Sequence, residues 1–155
     1  VVRNEPLRVV LRAVAGASDA GPSSMTVWIA DAMNVIGSRP TGWWRDRGAA
    51  VHRLLGASRR FGTLTGDRVV LVVDGRPAPD LPGGEHEGVG LVYAARPGAD
   101  AADDRIVELV ASEPALAGVR VVTSDRALQV RVRRLGAEVQ SAGTWLRALD
   151  ATSEE

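Results

Sequence analysis

The 155-residue sequence has no cysteine and no lysine, and its 19 basic side chains, all arginine, balance 19 acidic ones. Without cysteine there is no disulfide, no thiolate zinc site and no cysteine nucleophile. Without lysine there is no P-loop lysine to hold phosphates and no amine for Schiff-base chemistry. The only histidines are His52 and His86. The groups that remain are mainly carboxylates, hydroxyls and guanidinium groups, which favour acid–base or metal-dependent chemistry.

Long apolar runs are also missing, so no stretch of the sequence is long enough to span a membrane. No basic segment followed by an apolar run resembles a secretory signal, and the lack of cysteine agrees with the cytoplasmic location that we predict. Residues 1–24 end in AGASDAGPSS, which is typical of a linker, so we predict a disordered N-terminal extension. We expect the folded domain to cover residues 25–150 and residues 151–155 to form a polar tail.

Short apolar runs alternate with longer stretches whose apolar residues recur at helical spacing. The predicted strands are Val27–Ala30, Val69–Val73, Val89–Ala94, Val119–Val122 and Ala137–Gln140. The predicted helices are Asp46–Phe61, Ala101–Leu116, Arg126–Leu135 and Ser141–Leu149. Valine-rich strands that alternate with helices are typical of a parallel sheet covered on both faces. We therefore predict an α/β fold, a three-layer α/β/α domain with a mainly parallel central sheet, in which 33–45 and 75–88 are long loops.

Aspartates follow the predicted strands. Asp31, Asp74 and Asp125 end or follow three of them, and Asp100, Asp103 and Asp104 come after a fourth. Ligands of open parallel sheets bind beyond the carboxyl ends of the strands. Carboxylates gathered there repel one another unless a cation is present, and oxygen ligands without cysteine favour Mg²⁺ or Mn²⁺. The sequence thus predicts a metal site at this edge, where a metal-bound water could attack a phosphodiester.

Each aspartate also has a structural alternative, because aspartate is a common capping residue at helix starts. Asp100 and Asp104 fit this alternative best, and Asp46 and Asp67 are predicted to be caps or turn residues only. The coincidence of acids at four strand ends favours the shared metal site over independent caps.

Two polar residues stand beside these acids. Asn34 could orient a water or contact a phosphate, or it could simply form a turn after the first strand. Ser124 could bond a metal-bound water or cap the following helix. Met33 occupies the position where a haloacid-dehalogenase phosphatase would carry its second aspartate. A phosphatase or nucleotide hydrolase is therefore the less favoured alternative.

Arginines and tryptophans cluster near the predicted site. Guanidinium groups suit phosphates, so Arg39, Arg45, Arg47 and Arg126 are candidate RNA contacts, although a net charge of zero is unusual for a nucleic-acid binder. The adjacent Trp43 and Trp44 could stack unpaired bases, or they could fold back onto the core and the next helix. We expect Trp43 to contact RNA and Trp44 to pack, and Arg131, Arg133 and Arg134 could form only a solvated helix face.

The segment IADAMNVIGSRP resembles the opening of NYN domains, which are PIN-like ribonucleases, and the YacP-like subgroup is the most similar. Its later segments appear in the same order: VVLVVDG, GLVYAARPGADAADDRIVEL, VVTSDRALQ and LGAEVQSAGTWLRAL. The resemblance covers about residues 27–149. It departs from the family pattern in having Ala32 where glycine is usual after the first acid, and Gly75 after Asp74.

The resemblance implies that Asp31, Asp103 and Asp125 are the metal-binding acids, with Asn34 as a fourth catalytic residue. It makes Asp104 and Asp74 further members of the metal site. It implies an endoribonuclease that needs Mg²⁺ or Mn²⁺ and cuts RNA, which we expect to be single-stranded. Whether a ribosome or another partner presents the RNA is left open. The alternative from another class is a non-catalytic RNA-binding module with the same fold. The oligomeric state is not predicted.

Overall fold

The computed structural model describes residues 25–94, 98, 100–113 and 116–153. Its strands are β1 (Val27–Asp31), β2 (Arg68–Asp74), β3 (Gly84–His86), β4 (Val89–Ala94), β5 (Val119–Val122) and β6 (Glu138–Gln140). Its α-helices are α1 (Ala32–Gly37), α2 (Arg47–Thr65), α3 (Ala101–Ser112), α4 (Arg126–Arg134) and α5 (Ala142–Ser153). Short 3₁₀ helices lie at Trp43–Arg45 and Leu116–Gly118. The predicted extension, residues 1–24, lies outside the described residues.

The strands form one sheet in the order β3-β4-β2-β1-β5-β6. All neighbouring strands are parallel except β3, which pairs antiparallel with β4 at one edge. The chain moves outward from β1 through β2 to β4 and then returns to the other side of β1 as β5. This reversal creates a switch point between β1 and β5, the place where such sheets bind ligands.

Helices cover both faces of the sheet. On one face α1, α2 and α5 bury a core in which Trp28 of β1 stacks on Trp145 of α5, with ring centroids 6.2 Å apart, and Phe61 packs edge-on against both. On the other face α3 and α4 pack Ile106 and Leu128 against the sheet. The predicted α/β fold class, with its mainly parallel sheet in a three-layer arrangement, is confirmed.

Three local predictions differ from the structure. The expected loop 33–45 contains α1 and a 3₁₀ helix, because a six-residue helix whose buried side chains are Ala32 and Val35 is too short to show helical periodicity. The expected loop 75–88 contains β3, whose glycine and charged residues carry no strand pattern and which pairs only at the sheet edge. Helix α5 continues to Ser153, past its predicted end at Leu149, and the Thr152 hydroxyl donates to the Leu149 carbonyl.

Two aspartates serve the fold. Asp46 caps α2 by accepting a hydrogen bond from the Ala49 N–H, as predicted. Asp67 instead accepts hydrogen bonds from the Thr26 N–H and the Trp28 indole N–H, and so anchors the start of β1 beside β2. None of the helices in the described part of the chain is long and apolar enough to cross a membrane.

Candidate active site

Asp31 is the last residue of β1 and lies at the switch point of the sheet. Its side chain is 7% exposed and accepts a hydrogen bond from the Thr123 hydroxyl, with 3.3 Å between the oxygens. Burial, followed by repulsion from Asp103, raises the pKa of Asp31 from 3.8 to about 7, and hydrogen bonds from Thr123 and the Asn34 backbone offset part of this rise. A buried carboxylate with so little compensation is a candidate for cation binding.

Asp103 faces the same edge from the first turn of α3. Burial, then repulsion from Asp125 and Asp100, raises the pKa of Asp103 to about 6, and the Arg131 guanidinium partly opposes this effect. Because Asp103 in turn raises the pKa of Asp31, these carboxylates share one electrostatic environment. The structure therefore brings together acids that are far apart in the sequence.

The donor chemistry of this environment fits a hard divalent cation, which would relieve the repulsion between Asp31 and Asp103. Within the described residues, no three acidic or histidine side chains lie close enough together to hold an ion as they stand. The expected cluster of ligands in mutual contact is therefore not shown. Mg²⁺ is commonly held in proteins by only one or two carboxylates together with several waters.

The other predicted metal-binding acids already have partners in the protein. One carboxylate oxygen of Asp125 caps α4 by accepting from the Ala127 and Leu128 N–H groups, at 2.9 and 3.2 Å. Asp104 forms a 3.0 Å ion pair with Arg131, and Asp74 forms a 2.8 Å ion pair with Arg47. Asp100 occupies the N-cap position of α3, but its side chain makes no capping hydrogen bond.

Asn34 and Ser124 connect the two loops that flank the switch point. The Asn34 side-chain oxygen accepts from the Ser124 N–H at 2.9 Å, and the Ser124 hydroxyl accepts from the Ala142 N–H at the start of α5. The Asn34 NH₂ group makes no hydrogen bond to any described residue. The side-chain oxygen fixes the loop after β5.

Two residues of the site were not among the predicted site residues. Thr123 is fully buried and connects two acids, because its hydroxyl donates to Asp31 and accepts from the Asp125 N–H. Its position in VVTSD, between a strand and an acid, was the only available signal. Arg131, expected on a solvated helix face, instead pairs with Asp104 across the gap between α4 and α3.

The arginines and tryptophans considered as RNA contacts differ in whether the protein itself already binds or covers them. Arg39 forms a bidentate ion pair with Asp150 of α5, at 2.7 and 3.3 Å, and Arg47 is bound to Asp74. Arg45 and Arg126 are exposed and make no ion pair within the described part of the chain. Trp43 is half-buried with its ring against Gly37, whereas Trp44 is exposed, so the packing of the two rings is the reverse of the expectation.

Comparison with known proteins agrees with this fold. Two similar solved structures are both Rae1 (YacP) from Bacillus subtilis. One, a mutant, is 24% identical with a TM-score of 0.69 and covers 84% of this chain and 78% of that chain. The other is 26% identical with a TM-score of 0.65 and covers 84% and 76%. No curated protein matches the chain. The family model of the YacP-like NYN domain matches residues 28–155, which confirms the resemblance, and the chain therefore belongs to this family of PIN-like nucleases.

Proposed function

We propose that this protein is an endoribonuclease that depends on Mg²⁺ or Mn²⁺ and hydrolyses phosphodiester bonds of RNA at the carboxyl edge of its sheet. Membership of a PIN-like nuclease family supports an RNase-type function and RNA as the substrate. The observation that supports the metal dependence is the position of Asp31 at the switch point, where it is buried and repelled by Asp103, a combination that a divalent cation would relieve. Cytoplasmic location and the division into residues 1–24, 25–150 and 151–155 stay predictions.

The two acids with raised pKa values are proposed as the main ligands. Asp31 is held by Thr123, and Asp103 is held by its place in the first turn of α3. Asp125 is a further ligand through the oxygen that does not cap α4. Asp104 and Asp74 each pair with an arginine, so we propose that they bind water molecules around the ion and do not contact the ion directly. When bound, the ion supplies an activated water and neutralises charge on the phosphodiester.

The neighbouring polar groups are proposed to orient the RNA. The free NH₂ group of Asn34 can donate to an oxygen of the scissile phosphate, and Ser124 holds Asn34 in place. Arg45 and Arg126, which lack ion-pair partners among the described residues, are available for flanking phosphates. Arg39 and Arg47 would have to exchange Asp150 and Asp74 for phosphate, so we assign them weaker roles.

The test is cleavage of labelled RNAs, both single-stranded and structured, with Mn²⁺ and with EDTA. Asp31→Asn removes a proposed ligand while keeping the shape of the side chain, and the matched control is Asp80→Asn, an exposed aspartate on the loop before β3. We expect Mn²⁺-dependent cutting by the wild type and by the control, and none by Asp31→Asn. Cutting by Asp31→Asn at the wild-type rate would contradict the proposal.

The alternative from another class is a non-catalytic RNA-binding module. It predicts tight RNA binding without turnover and no binding of Mn²⁺. A ribosome or another partner that presents the RNA remains compatible with the nuclease, and adding such a partner to a folded but inactive sample would then restore cutting.

A further inference from the structure

Trp44 is the most exposed large apolar side chain in the described part of the protein, with 60% of its surface open to solvent. Tryptophan is highly buried on average, as Trp28 and Trp145 are in the core. The neighbour of Trp44 in the sequence, Arg45, is exposed as well. An exposed indole beside an exposed guanidinium is typical of surfaces that bind single-stranded nucleic acid.

The backbone holds Trp44 in this exposed position. Gly42, with a φ of +74°, begins the turn, and its carbonyl accepts from the Arg45 N–H at 3.0 Å. The Trp43 carbonyl accepts from the Asp46 N–H at 3.1 Å, which connects the turn to the capped start of α2. Trp43 meets Trp44 at a centroid distance of 6.1 Å and an angle of 84°. A contact of this edge-to-face kind covers at most one face of the Trp44 ring, so at least one face stays open.

The position of Trp44 in the chain places it at the same edge of the sheet as the candidate active site. Three residues further on, Arg47 forms a 2.8 Å ion pair with Asp74, the last residue of β2. Three residues span at most about 11 Å. Strand β2 lies beside β1, whose last residue is Asp31. Trp44 and the acids are therefore at the same edge of the sheet.

We infer that Trp44 is a stacking platform for an unpaired nucleobase of the RNA substrate, with Arg45 beside it for a flanking phosphate. This inference rests on the proposed function and adds to it a physical reason for a single-stranded substrate, because bases inside a duplex cannot stack on a side chain. Stacking tolerates any base, so the platform positions the strand without reading its sequence. Trp43, packed on Gly37, supports the platform.

The inference is tested by the binding of labelled single-stranded RNA in EDTA, which prevents turnover. Replacing Trp44 by leucine is expected to weaken binding roughly 5- to 150-fold, while phenylalanine at this position retains most of it. The control is Leu64→Ala, since Leu64 is similarly exposed but lies near the far end of α2, and this variant is expected to bind like the wild type. An abasic nucleotide is then placed at each position of the RNA in turn. At one position it should weaken RNA binding by the wild type but cause no further loss of binding by the Trp44→Leu variant.

Three results would overturn the inference. If the wild type binds RNA and Trp44→Leu binds it equally well, or if the abasic effect is unchanged in that variant, the platform is wrong while the RNase proposal stands. If the wild type binds no RNA in either EDTA or Mn²⁺, the platform is wrong, and the RNase proposal is then decided by the cleavage assay with Mn²⁺ and with EDTA. If sedimentation shows that the wild type is an oligomer and the Trp44→Leu variant a monomer, the Trp44 side chain contacts a second copy of the chain instead of RNA. Melting curves and the phenylalanine variant separate these results from a loss of folding.

Discussion

Replacing Asp31 by asparagine should stabilise the metal-free protein while it abolishes cleavage. The pKa of Asp31 is raised from 3.8 to about 7, so the folded state binds a proton more readily than the unfolded chain does. The favourable effect of this proton is fully present below pH 3.8 and is lost as the pH rises to about 7. Above that pH the ionised, buried carboxylate costs at most about 4 kcal/mol of folding free energy.

Asparagine has no charge to bury and can still accept the hydrogen bond from Thr123. We therefore expect Asp31→Asn and the wild type to be similarly stable at pH 4. The variant should become more stable than the wild type as the pH rises to 8, by up to about 4 kcal/mol. Urea unfolding in EDTA, followed by the fluorescence of the buried Trp28 and Trp145, measures this difference at each pH.

The control for this experiment is Asp80→Asn, which removes an exposed charge and should show no such pH dependence. Added Mn²⁺ should make the difference at pH 8 smaller, because only the wild type gains binding energy, about 2.7 kcal/mol at 100 times the dissociation constant. A stability difference that is the same at pH 4 and pH 8 would refute the reasoning. So would a variant that is less stable than the wild type at pH 8.

Three other perturbations follow from the same contacts. Thr123→Val leaves the buried Asp31 without its donor and the Asp125 N–H without its acceptor. It should lower the free energy of unfolding in urea by about 1–3 kcal/mol and lower the cleavage rate, while Thr123→Ser restores both hydrogen bonds. Affinity for Mn²⁺ should fall as the pH drops from 8 to 5, because Asp31 and Asp103 must be ionised to bind a cation. An affinity that calorimetry finds constant over this range would contradict the prediction. Asp67→Ala removes the acceptor of the Thr26 N–H and the Trp28 indole, so it should lower the melting temperature by several degrees without changing the Mn²⁺ affinity.

The arrangement of the sheet could be predicted from the sequence because each central strand is an almost continuous apolar run. The burial of β2, where Val69 to Val73 are all buried, is what such a run implies. The edge of the sheet near which Asp31, Asp103 and Asp125 lie could also be predicted, since the carboxyl ends of parallel strands meet at one side. Elements without such a pattern, such as α1 and β3, were not predicted.

The partners of individual side chains could not be predicted, because they depend on residues that are distant in the sequence. Arg39 was expected to contact RNA, but its ion pair with Asp150 joins residues 111 positions apart. The choice between Trp43 and Trp44 depends on the fit of one ring against Gly37, which no local pattern encodes. The sequence around Thr123 does not show its hydrogen-bond partners, and only the fold places its hydroxyl between two acids.

We propose that Asp31 and Asp103 together hold the divalent ion needed for RNA cleavage. The most direct test of this proposal is a calorimetric titration of Mn²⁺ at pH 8, above the raised pKa values of both acids, on the wild type, Asp31→Asn, Asp103→Asn and Asp80→Asn. We expect binding by the wild type and by Asp80→Asn, and loss of binding by each of the other two variants. Binding of equal affinity by all four proteins would contradict it.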